Sequence, residues 1–184
     1  IRIRILHLED PKTITRRDGS TAELIEGCGT DGTAVTRLMT WLPEIFDDIL
    51  PDTTVFIRGA LVKARNWGVE FVIDEKSEVT PDDTCISFSF STLDTVKNEG
   101  DWSVEGSVSS LQPVRAFSSR DGRTGHVRNI VLSDGTAHLR AVLWGDRALV
   151  PLVRGDYLTI YNARLRQGRS GEPELHVGNG GFVV

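Results

Sequence analysis

One short stretch of this chain occurs twice. Arg140-Ala141-Val142-Leu143-Trp144 follows Ser133-Asp134-Gly135-Thr136-Ala137, and Arg37-Leu38-Met39-Thr40-Trp41 follows Thr30-Asp31-Gly32-Thr33-Ala34. Asp31 and Asp134, Arg37 and Arg140, and Trp41 and Trp144 each lie 103 residues apart. The same offset links Arg17-Asp18-Gly19 to Arg120-Asp121-Gly122, Ile1 to Val104, Ile5 to Val108, Leu8 to Leu111 and Lys12 to Arg115. Downstream it links Ile57 to Ile160, Ala60 to Ala163 and Gly68 to Gly171. Chance does not keep a gapless register over about sixty residues. The chain is a duplication, and a repeat constrains the fold before any local reading does.

At 184 residues, the repeat predicts two small domains, each with a modest core. Residues 1–76 are expected to form the first, 77–92 a linker and 93–184 the second. Ile1 stands where a Met would begin a chain, and Ile1, Ile3 and Ile5 already alternate as in a strand. The expectation is therefore a piece of a longer protein.

Each copy reads as three strands, a short helix and two more strands. In the first copy, Ile1–Leu8 alternates apolar and polar, Thr21–Cys28 is a weaker strand, and Asp31-Gly32 signals a tight turn into Ala34–Trp41. Leu42–Leu50 predicts one or two helical turns, with Pro43 at the first position and Ile45, Phe46 and Ile49 on one face. Val55–Leu61 and Val69–Ile73 follow as strands, with Asn66-Trp67-Gly68 turning between them. In the second copy, Trp102–Leu111, Val127–Leu132, Ala137–Trp144, Tyr157–Arg166 and Glu174–Val177 are the strands, and Asp146 is placed to cap a short helix. This order predicts an all-β chain of two tandem OB-folds, five-stranded Greek-key barrels with a short helix between strands three and four.

Net charge is −5, but it is unevenly spread. Residues 1–76 hold ten Lys+Arg against thirteen Asp+Glu, residues 77–100 one against five, and residues 101–184 ten against eight. All ten cations of the last region are arginines, whose planar fork suits phosphate and stacking. Side chains two apart on a strand face the same way, so Leu139, Ala141 and Leu143 share one face and Arg140, Val142 and Trp144 the other. If the leucines fill the barrel, the cation and the indole face outward; Arg37, Met39 and Trp41 repeat the arrangement. Such a pair suits single-stranded nucleic acid, the cation meeting phosphate and the ring stacking a base. The competing reading, in which each Trp plugs a barrel end and each Arg is a solvated charge, is disfavoured by the doubling.

Arg120-Asp121-Gly122, Asn129-Ile130-Val131-Leu132-Ser133-Asp134, Arg140-Ala141-Val142-Leu143-Trp144-Gly145-Asp146, Gly155-Asp156 and Glu174-Leu175-His176-Val177 together resemble the DNA-binding OB domains of replication protein A, most closely the archaeal branch. The resemblance covers residues 101–184 and, more weakly, 1–76. It implies single-stranded-DNA binding with little sequence preference in replication, repair and recombination. It also implies an Arg and a stacking aromatic on strand three, here Arg37 with Trp41 and Arg140 with Trp144. A second stacking aromatic belongs in or beside the loop between strands four and five, where the first copy has Trp67. The second copy departs from this, having no aromatic in Gln167–Gly171, and Arg169 is expected to stack through its guanidinium instead. Lys63 and Arg65, with their approximate partners Arg164 and Arg166, resemble the family's phosphate contacts; the alternative for each is a charged edge strand that resists aggregation. Arg120 and Arg123 sit in the strand one–two loop, placed to close over strand three, as do Arg16 and Arg17 in the first copy. Arg115 and Arg128 are weaker candidates, and Trp102 reads as packing.

Other classes find less support. His7, His126, His138 and His176 are scattered, Cys28 and Cys85 form neither a disulfide framework nor a zinc site, and no nucleophile motif or phosphate-cradling loop stands out. No enzyme, cofactor, metal or small-molecule substrate is expected. No apolar run approaches a membrane span, and a cytoplasmic setting is expected. Besides single-stranded DNA, other replication or repair proteins are candidate partners. Protein binding by the acidic first copy, subunit scaffolding and RNA binding stand as alternatives.

Overall fold

The structure, a computed structural model, describes residues 1–118, 122, 124–168 and 170–184. It divides into two compact units, Ile1–Phe88 and Ser89–Val184. In the first, β1 (Arg2–Leu8) pairs with β3 (Thr21–Thr30) and β5 (Thr54–Arg58), and β3 pairs with β4 (Val35–Thr40). Strand β4 runs parallel to β7 (Gly68–Ile73), which pairs with β6 (Leu61–Arg65). Strands β5 and β6 are one barrel strand interrupted at Gly59-Ala60. Gly59 has φ +77°, and a Cβ there would lie 2.7 Å from the Lys76 carbonyl oxygen, so the bend requires glycine.

The second unit repeats the circuit without the interruption. Strand β9 (Gly100–Leu111) pairs with β11 (Thr124–Ser133) and β13 (Tyr157–Gln167), β11 with β12 (His138–Trp144), β12 in parallel with β14 (Pro173–Val177), and β14 with β13. A short β15 (Phe182–Val183) adds to β13. Each unit is an OB-fold barrel, with its third and fifth strands closing the wall in parallel.

Period-two alternation drives the closure. On β12, Leu139, Ala141 and Leu143 are buried in the core while Arg140 points out, as the pattern requires. Leu38 is the matching core residue on β4. Full burial of such a side chain contributes about 1.5–3 kcal/mol, and Leu143→Ala should cost about 2–5 kcal/mol because a cavity is left as well. The repeated Asp-Gly-Thr-Ala turns are held alike. The Asp31 Oδ1 accepts from Thr33 N (2.9 Å) and Thr33 Oγ1 (2.6 Å), and the Asp134 Oδ1 from Thr136 N (2.9 Å) and Thr136 Oγ1 (2.7 Å). Partial burial would raise the Asp134 carboxyl, but these bonds and one from Leu93 N carry it well below the usual range.

Three local features differ from expectation. The loops after strand one carry hairpin arms, β2 (Lys12–Thr15) on β3 and β10 (Arg115–Ser118) on β11. Thr13-Ile14-Thr15 and Ala116-Phe117 contain the β-branched and aromatic residues that favour pairing over loop. The expected helices are 3-10 turns, Pro43–Phe46 and Gly145–Leu149. Neither has a side-chain cap, so Asp146 does not play the capping part expected of it. Phe46 and Ile49 nevertheless enter the core. Residues 77–92, expected as linker, begin with β8 (Glu78–Pro81), which pairs with β5 inside the first unit.

The parallel pairs place Arg37 beside Glu70 and Arg140 beside Glu174. Lys63 lies opposite Glu70 and Arg166 opposite Glu174. Lys63 therefore corresponds to Arg166, and Leu61, opposite Val72, corresponds to Arg164, opposite His176. The approximate pairing of Lys63 with Arg164 and of Arg65 with Arg166 is corrected by two residues. The offset of 103 persists to the end of strand four, and the extra residue of the second copy falls in the following loop.

Candidate nucleic-acid interface

In the second unit, the outer face of β11, β12 and β14 forms an open groove flanked by β10 and the turn after β13. Trp144 lines it, half-buried. Its Nε1–H donates to Nδ1 of His176 at 3.2 Å, and the rings lie 22° from parallel with centroids 6.0 Å apart. Joined edge to edge, they make one wider flat surface. Phe117, on the hairpin arm β10, meets Trp144 edge-on at 5.4 Å and 88°. Such an aromatic pair contributes about 0.5–1.5 kcal/mol beyond its buried area.

A chain of polar contacts fixes this platform. Burial holds the His176 imidazole below its ordinary value, against the pull of the Glu174 carboxylate. The neutral ring accepts at Nδ1 and carries its proton on Nε2, 3.4 Å from Glu174 Oε2. Glu174 Oε1 is ion-paired with Arg140 Nη1 at 2.9 Å, Arg140 Nη2 donates to Asn129 Oδ1 at 3.0 Å, and Asn129 Nδ2 donates to Gln112 Oε1 at 3.1 Å. The Arg140 side chain is still 46% exposed, so part of its guanidinium faces the groove. Arg115 and Arg166 line the same groove. This is a flat aromatic surface within reach of three arginines.

The first unit builds the corresponding face differently. Arg37, expected to stand open, has a side chain only 10% exposed. It is ion-paired to Glu26, approaches Glu70 at 3.7 Å and lies over the Trp67 ring at 5.6 Å. Glu70 also accepts from Arg65 Nη2 at 2.7 Å, and Lys12 pairs with Glu9 and Glu26. Trp41 is 39% exposed, and among the described residues no ring contact or hydrogen bond holds it. Trp67 is half-buried against Arg37 rather than free at a hairpin tip.

Lys63 is half-buried opposite Glu70. Arg164 is held by Asp101 through two bonds, of 2.8 and 2.7 Å, while Arg166 is exposed. Arg128, a weaker candidate, donates to the carbonyls of Gln112, Val150 and Leu152 and clamps the chain rather than facing a ligand. Arg120, Arg123 and Arg169 lie outside the described residues. Sequence reasoning missed Phe117, His176, Asn129 and Glu174. The available signal for Phe117 was its place 103 residues after Ile14, which is also exposed. For His176 it was alternation with Leu175 and Val177, which puts it on the outer face.

No family model matches the chain. The chain is 31% identical over 88 residues to the replication factor A of Methanothermobacter thermautotrophicus, a match covering 47% of this chain and 11% of the relative's length. Among solved structures, a chain of a replication protein A heterotrimer bound to single-stranded DNA is similar over 100% of this chain and 48% of its own, with a TM-score of 0.62 and 13% identity. The p204 HINb domain is similar over 100% of this chain and 94% of its own, with a TM-score of 0.64 and 13% identity. At such identities these structures speak for the fold: two OB barrels in tandem. The chain is thus two OB barrels in tandem, with 88 residues similar in sequence to an archaeal replication factor A.

Proposed function

We propose that the chain binds single-stranded DNA on the outer faces of its barrels, with little sequence preference, in DNA replication, repair and recombination. One observation carries the reading. Trp144, extended by His176 and walled by Phe117, lies open beside Arg115, Arg140 and Arg166. A base stacks on the indole, and the flanking phosphates meet the arginines. Stacking accepts any base, since every base has a π-face, and contributes about 1–3 kcal/mol per base. In the first unit, Trp41 offers the corresponding stacking face. The match to an archaeal replication factor A supports the reading, as does the likeness to a chain bound to single-stranded DNA.

The test is a fluorescence-anisotropy titration of a labelled mixed-sequence oligonucleotide with the whole chain, alongside quenching of its tryptophans. Binding should quench tryptophan emission, and Trp144→Ala should lose about tenfold or more in affinity with its thermal melt preserved. A second reading, protein binding by the first unit, is favoured by Leu61, Val62 and Val69. These are 52%, 57% and 43% exposed on the β6–β7 hairpin. If removing Trp41 and Trp67 leaves DNA affinity unchanged, that reading gains for the first unit.

A further inference from the structure

Glu9 and Gln112 are 103 residues apart, and so are Glu26 and Asn129. The backbone confirms both equivalences. Glu9 N donates to Glu26 O at 2.8 Å, and Gln112 N donates to Asn129 O at 2.9 Å. In the second groove these two amides join each other, and Asn129 joins Arg140. In the first groove two carboxylates hold the same places and pair with Lys12 and Arg37. The remaining acid is shared, since Glu70 and Glu174 occupy equivalent positions. The first face thus sets Lys12, Arg37, Lys63 and Arg65 against Glu9, Glu26 and Glu70. Among the described residues, the second sets Arg115, Arg140 and Arg166 against Glu174.

We propose that Glu9 and Glu26 are specificity determinants that occupy the phosphate-binding cations of the first groove. The first unit then engages a strand mainly through its bases, and the second takes most of the phosphates. This inference rests on the single-stranded-DNA reading. The physical reason is competition at a fixed site. A phosphate approaching Arg37 must displace a carboxylate already paired with it, at a side chain only 10% exposed. At Arg140 the matching partner is a neutral amide, and the side chain is 46% exposed. Arg37, enclosed by two carboxylates, has little charge left to release counterions from the nucleic acid and adds little to the salt dependence, whereas Arg140 faces one carboxylate and keeps an exposed side chain for phosphate.

The experiment uses the whole chain and a labelled mixed-sequence single strand titrated at several salt concentrations. The variant Glu9→Gln with Glu26→Asn should steepen the log–log salt slope by about 0.7 for each phosphate gained, and should bind several-fold more tightly at low salt. The reciprocal variant, Gln112→Glu with Asn129→Glu, should flatten the slope and weaken binding. Thermal melts report whether each variant keeps its fold. Should the first variant unfold, the reciprocal variant and the single change Glu26→Gln carry the test. An unchanged slope in folded variants, with the parent chain binding normally, overturns this proposal alone. A parent chain that does not bind a single strand at all overturns the functional reading and this proposal with it.

Discussion

Trp41 and Trp144 occupy the same position of the same repeat, yet they sit in different surroundings. Trp144 is hydrogen-bonded to His176 and walled by Phe117. Trp41 is 39% exposed, and the places of His176 and Phe117 in its repeat are taken by Val72 and Ile14. The arginines diverge in the same way, Arg140 partly open and Arg37 buried between carboxylates. A repeated motif therefore specifies where side chains stand on the barrel. Whether they are free to meet a ligand is decided by residues on neighbouring strands, and there the copies have drifted apart.

The largest expected effect breaks the comparison at the arginines. Arg37→Ala removes one partner from a buried ion pair, a change that costs about 3–5 kcal/mol in such settings. Arg140→Ala acts on a half-exposed side chain and should cost about 1 kcal/mol or less of stability, while flattening the salt slope by about 0.7. Urea unfolding of both variants checks this. A similar cost for both would mean that the burial difference carries no energetic weight.

Next come the aromatics. Trp144→Ala should lose about 2–3 kcal/mol of binding, at the upper end for a stacked base. Trp41→Ala should lose about 1 kcal/mol, because its ring is not held in place before the base arrives. Phe117→Ala should fall between the two, since it removes the wall but leaves the platform. Equilibrium titrations of the three variants sharpen or reverse that order.

Much of this was legible in the sequence. The 103-residue offset, the strand order and the outward faces of β4 and β12 follow from spacing and alternation alone. The burial of Arg37 was not legible, because Glu26 and Glu70 reach it from strands eleven and thirty-three residues away in sequence. Phe117 was hidden for a related reason: a stretch read as loop pairs with β11, and that pairing carries the ring to Trp144. The correspondence of Lys63 with Arg166 was legible in the 103-residue offset, which links Ala60 to Ala163 and runs on through strand four, and the strand pairings agree with it.

A smaller effect concerns acid. His176 is held below its ordinary value by burial. A depressed folded value means that the neutral ring is the stabilised form. Its contribution is complete above the unfolded value of about 6.5 and is lost as pH falls through the folded value. Protonation puts a proton on Nδ1 and ends its acceptance of the Trp144 N–H. Trp144 emission and single-strand affinity should therefore change together below about pH 6.5. Both changes should vanish in His176→Gln, whereas a Trp41-only signal should stay flat over the same range. An identical profile in His176→Gln would assign the titration elsewhere.

The central claim is that the open face of the second barrel takes an unpaired strand. The most direct measurement compares the whole chain with one mixed-sequence oligonucleotide, single-stranded and as its duplex, each with and without Trp144→Ala. The account predicts that the single strand binds at least about tenfold more tightly, since duplex bases are stacked out of reach, and that Trp144→Ala removes most of the difference. Equal affinity for duplex, untouched by Trp144→Ala, would contradict it.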